Sequence, residues 1–489
     1  MAPKDLNRGA PGLEYFTPQH LTSPGSLPQA AKPTPTLFRP LKIRSTTLRN
    51  RILLAPMCQY SCASAGPSTG CLTDYHVATL GHYALKGSTL VFVEATGVTP
   101  NGRISPNCPG LWSDAQIPAL RRVSDFVKSQ GALMGVQLAH AGRKASTCAP
   151  WIAGAQKTQG GKRKVSLRAG ADVGGWPGDV VGPMGGEEWA WDMKKQGDEE
   201  CGYWAPRALS EGEVGELVEE WARAAERAVK AGVDVIEIHA AHGTTEWMED
   251  TDLGKKNGSW DVESSIRLAK VLPALGVDLL DASSGGNSPL QRINPFNSMD
   301  YQTLIASRIR SEVKKEGLKL LIGAVGLITE AEQAKDILEE GGAVKVRKAD
   351  AEMAEEVRAA VGMTEGQDGK EPMADVILVA RQFMREPEWV LKVAWQLGVD
   401  VAWPNQFLRH LLFLLPNLQL KHVRTQLRDT EYATETVGGK LPVVSAFMEA
   451  RPEEAFTTRQ WSECGCEYCD RGAVCVEDVV VCSPQVFMR

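Results

Sequence analysis

The sequence has no run of about 18 uninterrupted apolar residues, so no segment is long enough to cross a bilayer as a helix. It also lacks an apolar signal core: MAPKDLNRGAPGLEYF carries early acidic residues, and a cytosolic protein is the expectation. No charge sign is in large excess. A net charge of -6 over 489 residues gives no global electrostatic case for nucleic acid or an anionic membrane surface. The cysteines lack an even, regular spacing. Eleven are present, six scattered between Cys58 and Cys201 and five crowded between Cys464 and Cys482, which excludes a disulfide framework.

What is present is ample core material, 43% hydrophobic and 23% charged. Residues 1–36 are rich in Pro, Gly and Ser without an apolar period and read as a disordered leader. From 37 onward, apolar strands alternate with amphipathic helices, the pattern of βαβ units around a parallel sheet. The strands are Arg51–Met57, Leu90–Thr96, Leu133–Ala139, Val233–His239, Val277–Ser283, Lys319–Ala324 and Ala374–Arg381. The clearest helices are Glu211–Ala231, Val262–Leu275 and Glu330–Glu340, the last started by a Thr329/Glu332 capping box. Seven strands are one short of the eight that normally close an α/β barrel. Residues 151–207 and 343–373 read as polar insertions, the second carrying an amphipathic surface helix. The basic cluster Lys162–Lys164 reads as a solvated loop. After about 410 the alternation stops, and 410–489 reads as a poorly ordered tail.

In a parallel barrel the carboxyl ends of the strands share one mouth, where active sites lie. Several strands here end in polar or special residues: Cys58 and Tyr60, Glu94, Gln137 and His140, His239 and His242, and Arg381. If the chain turns at Ala240–Ala241, His239 and His242 can offer two N–H donors to one acceptor. No third ligand stands at fitting spacing, so no metal is expected. The glycines of 323-GAVGLITEAEQ-333 precede a helix start, and Arg381 supplies a bidentate partner, so together they suggest a phosphate. Alone, Cys58 reads as a small buried hydrophobe. The tail spacing 464-CGCEYCDRGAVC-475 matches no defined zinc site.

These motifs, 37-LFRPLKIRSTTLRNRILLAPMCQYS-61, 101-NGRISPNCPGLWSDAQIP-118, 135-GVQLAHAGRKAS-146, 232-GVDVIEIHAAHG-243, 323-GAVGLI-328 and 375-DVILVARQFMREP-387, resemble the Old Yellow Enzyme family of flavin-dependent ene reductases. The Cys–Tyr ending of the first strand is similar to its thermophilic-like branch. The resemblance covers 37–409 and implies a TIM-type (β/α)8 barrel that binds FMN and takes electrons from NADPH or NADH. It implies that Ala55, Pro56, Met57 and Cys58 pack along the flavin, that Ala95 and Gln137 meet its pyrimidine end, and that Gly326, Ala380 and Arg381 hold its phosphate. His239 and His242 would bind the carbonyl oxygen of a small-molecule enone, with His239 also beside the cofactor. Tyr60 would line the substrate site. Arg409, in 403-WPNQFLR-409, matches an arginine that some members insert into a neighbouring subunit, so a homo-oligomer is part of the expectation.

The chain departs from that pattern after Gly243. Thr244 stands where the family places a proton-donating tyrosine, and TEWMEDTD leads directly to the loop that normally follows strand five. One βα unit, with an arginine directed at the flavin, is missing by this reading. An incomplete barrel with an unpaired edge is expected, and the apolar run 474-VCVEDVVVC-482, with no register signal, is not expected to fill it. A second reading is therefore an inactive or misassembled relative, a splice variant or mis-predicted gene model, with weak or no flavin binding. A third is another phosphate-ligand barrel enzyme, such as an isomerase, though it leaves 55-APMC-58 and 239-HAAH-242 unexplained.

Overall fold

The computed structural model describes residues 7–28, 34–240, 260–283, 301–341 and 371–408, and the backbone of 485–488. Two compact units divide the chain. Arg8–Phe407 with Val479–Arg489 holds every element below, and Met1–Asn7 with Leu408–Asp478 lies almost wholly outside the described residues.

A hairpin, β1 (Leu41–Ile43) and β2 (Thr46–Leu48), precedes the barrel strands β3 (Ile52–Leu54), β4 (Leu90–Gly97) and β5 (Leu133–Ala139). A short pair, β6 (Val181–Gly182) and β7 (Arg207–Ala208), lies in the 151–207 insertion. The barrel continues with β8 (Val235–Ile238), β9 (Leu279–Ala282), β10 (Leu321–Val325) and β11 (Val376–Val379). All seven expected strands are present, and their neighbours run parallel in the order β9-β10-β11-β3-β4-β5-β8. β3, β4, β9 and β11 are buried along their whole length, which is why they read as unbroken apolar runs.

The helices are α1 (Asp74–Leu85), α2 (Ile117–Ser129), α3 (Pro150–Ala155), α4 (Glu211–Lys230), α5 (Val262–Val271), α6 (Tyr301–Lys315), α7 (Ala331–Leu338), α8 (Arg381–Arg385) and α9 (Trp389–Gln396). α4 starts on a capping box in which the Ser210 hydroxyl accepts from the Glu213 N–H and the Glu213 carboxylate accepts from the Ser210 N–H.

Two apolar layers result. Between strands and helices lies the larger core, including Val91, Val93, Met134, Val136, Ile322, Ile377 and Trp389. Inside the barrel, residues from the amino-terminal halves of the strands (Leu53, Leu90, Phe92, Leu279, Val376) meet Leu41, Ile43 and Leu48 of the hairpin. The hairpin thus closes the amino end of the barrel and leaves the opposite end for a site. Gly135 shows how full that interior is, since a Cβ there would lie 2.4 Å from the Phe92 ring.

Three expectations are corrected. The gap between β8 and β9 does not stay open. β12 (Gln485–Met488) runs antiparallel to both, with Val486 opposite Ile238 and Leu280, and closes the barrel with an eighth strand. Bare N–H and C=O groups on two facing edges accept any extended segment, so filling the gap needed no register signal. The 474–482 run lies outside the described residues.

The segment read as a disordered leader is placed on the barrel over 8–28. Gly25 N–H donates to Ala402 O at 2.9 Å, Ala402 N–H to Ser26 O at 2.8 Å, and Asn50 Nδ2 to Gly25 O at 3.1 Å. Backbone bonds to loops need no side-chain period, so composition alone could not reveal them.

The α7 start also differs. Glu330 occupies its N-cap without a side-chain cap, and the Thr329 N–H is taken by Gln333 Oε1 at 3.1 Å. The helix expected in 343–373 and the cysteine-rich tail lie outside the described residues.

Candidate active site

Nearly every candidate residue that the structure describes sits at the carboxyl end of its strand, opposite the hairpin. Ala55 follows β3 and its N–H donates to Val379 O at 2.9 Å, while Ala380 and Arg381 follow β11. Ala95 and Gln137 lie in the last half of β4 and β5. His239 follows β8 and its N–H donates to Leu138 O at 2.9 Å. Gly326 follows β10 at φ 98°. Six adjacent strands thus deliver these residues to one rim. His242, Thr244 and Arg409 lie outside the described residues.

The β3 side is a sulfur-rich wall. Pro56 and Met57 are half-buried. Cys58 is half-buried. The nearby Cys108 thiol, then burial, pushes the Cys58 thiol up. Tyr60 holds φ at 50°, a left-handed conformation uncommon outside glycine, and its ring meets Trp151 edge-on at 5.5 Å. Behind this wall Glu94 is 1% exposed. Thr73 N–H donates to His76 Nδ1 at 3.0 Å, so Nε2 carries the proton given to Glu94 Oε1 at 3.1 Å.

The β5–β8–β9 side carries charge inside the barrel. Gln137 Nε2 donates to Glu237 Oε1 at 2.7 Å, and Ser283 Oγ donates to Asp281 Oδ2 at 3.1 Å. Burial, then the nearby Asp281, pushes the Glu237 carboxyl up, and burial also raises Asp281. Two carboxyls so close in a dry site favour holding a proton. His239 is 7% exposed. Its burial, with the positive charge of Lys144 nearby, brings the imidazole down to about 3. It is therefore a neutral N–H donor at any working pH. His140, also buried, comes down to about 4. Lys144 lies 4.5 Å over the Trp191 ring.

Sequence reasoning missed Lys144, Glu237 and Asp281. A carboxylate within an apolar strand, as in VIEI and LLDA, was a usable signal, because an isolated buried charge is costly. Lys144 gave none, since only the fold brings it near His239. Among the described residues no group of three His, Cys, Asp or Glu side chains is arranged for a metal.

The rim suits FMN. Ala55, Ala95 and Ala380 put small side chains at the ends of β3, β4 and β11, and Gln137 puts an amide on β5. At Gly326 a Cβ would meet the Gln302 side chain at 3.0 Å, so the loop lies tight against α6 while Arg381 opens the helix after the next strand. A planar ring beside the alanines with a phosphate toward Gly326 and Arg381 matches this donor set.

Known proteins agree. The family model described as NADH:flavin oxidoreductase / NADH oxidase matches residues 36–244. An NADH:flavin oxidoreductase of Gibberella zeae is 31% identical over 453 residues, covering 82% of this chain and 94% of that protein. An NADPH dehydrogenase of Listeria monocytogenes is 31% identical over 414 residues, covering 76% of this chain and 98% of its own. Among solved structures, morphinone reductase aligns at 20% identity and a TM-score of 0.41, over 76% of this chain and 92% of that one. Motifs, barrel and relatives therefore converge: the chain belongs to the NADH:flavin oxidoreductase / NADH oxidase family, the Old Yellow Enzyme group, and is an FMN-dependent oxidoreductase with a nicotinamide donor.

Proposed function

We propose that this oxidoreductase is a cytoplasmic ene reductase acting on small α,β-unsaturated carbonyl compounds. The observation that carries the reading is His239, a buried neutral imidazole at the rim with the Lys144 cation nearby. Bound FMN supplies hydride transfer, taken from NADPH or NADH and delivered to the β-carbon of the enone. His239 donates its N–H to the carbonyl oxygen, where negative charge grows as the double bond is reduced. Lys144 adds a positive field without the proton uncertainty of a charged imidazole.

Ala55, Pro56, Met57 and Cys58 flank the cofactor, Ala95 and Gln137 meet its pyrimidine end, and Gly326, Ala380 and Arg381 hold its phosphate. Tyr60, backed by Trp151, forms the outer wall against the substrate. Thr244 at the family's proton-donor position leaves the α-carbon to be protonated from water, while His242 would be the second donor. Arg409 would reach a neighbouring subunit of a homo-oligomer.

The test is direct. Purified protein reconstituted with FMN should oxidise NADPH only when an enone is supplied. A yellow protein with no enone-dependent oxidation would sink the substrate assignment, and a chain that retains no FMN would favour the inactive-relative reading.

A further inference from the structure

Strand alternation sorts the barrel interior into layers, because successive residues of a strand point to opposite faces. Leu133 of β5, Val235 of β8 and Leu279 of β9 face inward, in the apolar layer that meets the hairpin. Met134, Val136, Ile236 and Leu280 alternate with them and face the helices. Two residues further toward the mouth, the inward positions of β8 and β9 belong to Glu237 and Asp281, and Gln137 stands level with Glu237 on β5. All three side chains are buried. A polar layer thus lies between the apolar interior and the mouth.

Gln137 and Glu237 are register partners on adjacent parallel strands, so their side chains leave the sheet side by side. Gln137 Nε2 donates to Glu237 Oε1 at 2.7 Å, a length at the short end of the range that fits donation to a carboxylate. A pair of carboxyls holding one proton still leaves one carboxylate, and the Gln137 contact favours the ionised form of Glu237.

The bond has a consequence for the amide. A glutamine carries a donor and an acceptor on two branches of nearly equal size, and a half-turn of the last torsion exchanges them. A carboxylate only accepts, so Glu237 selects one of the two orientations: Nε2 toward β8, and Oε1 on the other branch.

We propose that Glu237 is a positioning residue for Gln137, holding Nε2 so that Oε1 is presented as the acceptor for the imide N–H at the pyrimidine end of FMN. The inference rests on Gln137 meeting that end of the cofactor, as proposed for the function. The N3–H of the flavin lies between two carbonyls and is the single donor of that edge. A reversed amide would set its NH2 against this N–H, and two donors would face each other in a dry site.

The full-length chain, stripped of flavin, is titrated with FMN and with FMN methylated at N3, each followed by quenching of flavin fluorescence. In the parent, methylation should weaken binding by about 10-fold or more, because the donor that Oε1 takes up is gone. The side chain made in Glu237→Gln accepts as well as donates and permits either orientation of Gln137. In that variant FMN should bind roughly 10-fold more weakly, and the ratio between the two flavins should fall to about 2-fold. Glu237→Met, which offers Gln137 no acceptor, should lower the ratio in the same way, and so should Gln137→Leu. Melting curves establish that each variant folds. General loosening of the barrel would weaken both flavins alike and leave the ratio where it was, so the ratio isolates the amide. The parent ratio kept in both Glu237 variants, while Gln137→Leu loses it, would overturn the positioning role and leave the placing of Gln137 intact. The parent ratio kept in Gln137→Leu as well would overturn that placing, and this inference with it. A parent that binds the two flavins alike, or binds neither, would overturn both.

Discussion

His239 and Asp281 show how burial sets chemistry residue by residue. His239 gains from remaining neutral, since a donor without charge needs no counter-ion in a dry site. Replacing His239 with Ala removes the donor at the growing oxyanion. Enone-dependent kcat/KM should fall about 100-fold, with FMN content retained, as measured by steady-state NADPH oxidation and by the spectrum of released flavin. A loss of FMN without loss of turnover per flavin would contradict the assigned role.

The stability linkage runs in two directions. His239 and His140 have lowered native values, so the stability they confer is present above about pH 6.5 and is lost as pH falls, by about 1.4 kcal/mol per pH unit for each. Glu237 and Asp281 are raised by burial, so theirs is full below about pH 4 and is lost as pH rises through the native values. Asp281→Asn, which keeps an acceptor for Ser283, should match or exceed the parent in stability at pH 8, with that advantage disappearing toward pH 4.5. Urea midpoints at the two pH values decide it. A variant at its worst at pH 8 would mean that the carboxylate is ionised and satisfied in the native state.

At the scale of elements, strands were more legible than their boundaries and caps. β5 matches the expected Leu133–Ala139 residue for residue, because both faces of that strand are covered and it reads as one apolar run. The helix over Glu211–Ala231 was equally plain from its amphipathic pattern, and the structure adds the Ser210–Glu213 capping box at its start. The capping box expected at Thr329 failed because such a pattern competes with other local bonds, and Gln333 took the Thr329 N–H instead.

Gly326 joins element geometry to function. At φ 98°, an alanine there meets both backbone strain and the Gln302 side chain. Gly326→Ala should weaken FMN retention by roughly 10-fold, read by quenching of flavin fluorescence on binding, at a cost of about 1–2 kcal/mol. Unchanged affinity would place the phosphate away from this loop.

For the molecule as a whole, the decisive feature is closure. Seven parallel strands leave β8 and β9 with facing unpaired edges, and the antiparallel β12 occupies the space. That strand touches the active site indirectly, because Phe487 is in register with Glu237 and Gln485 with Asp281. Truncation after Pro484 should bare both edges. We expect a melting temperature lower by several degrees and a concentration-dependent shift to larger species on size exclusion. A truncated chain with the parent's melting curve and elution volume would show that the barrel does not depend on β12.

The sequence by itself determined the seven strands, the mouth at their carboxyl ends, and several polar or special residues of the rim: Cys58, Gln137, His239 and Arg381. These follow from apolar period and from polar residues placed where such periods stop, which are properties of consecutive residues. Tertiary structure alone decided which distant groups meet: Lys144 near His239, Glu237 near Asp281, and the last strand in the gap. Those contacts span tens to hundreds of residues, and their energies depend on burial and mutual distance, which exist only after the chain has closed on itself.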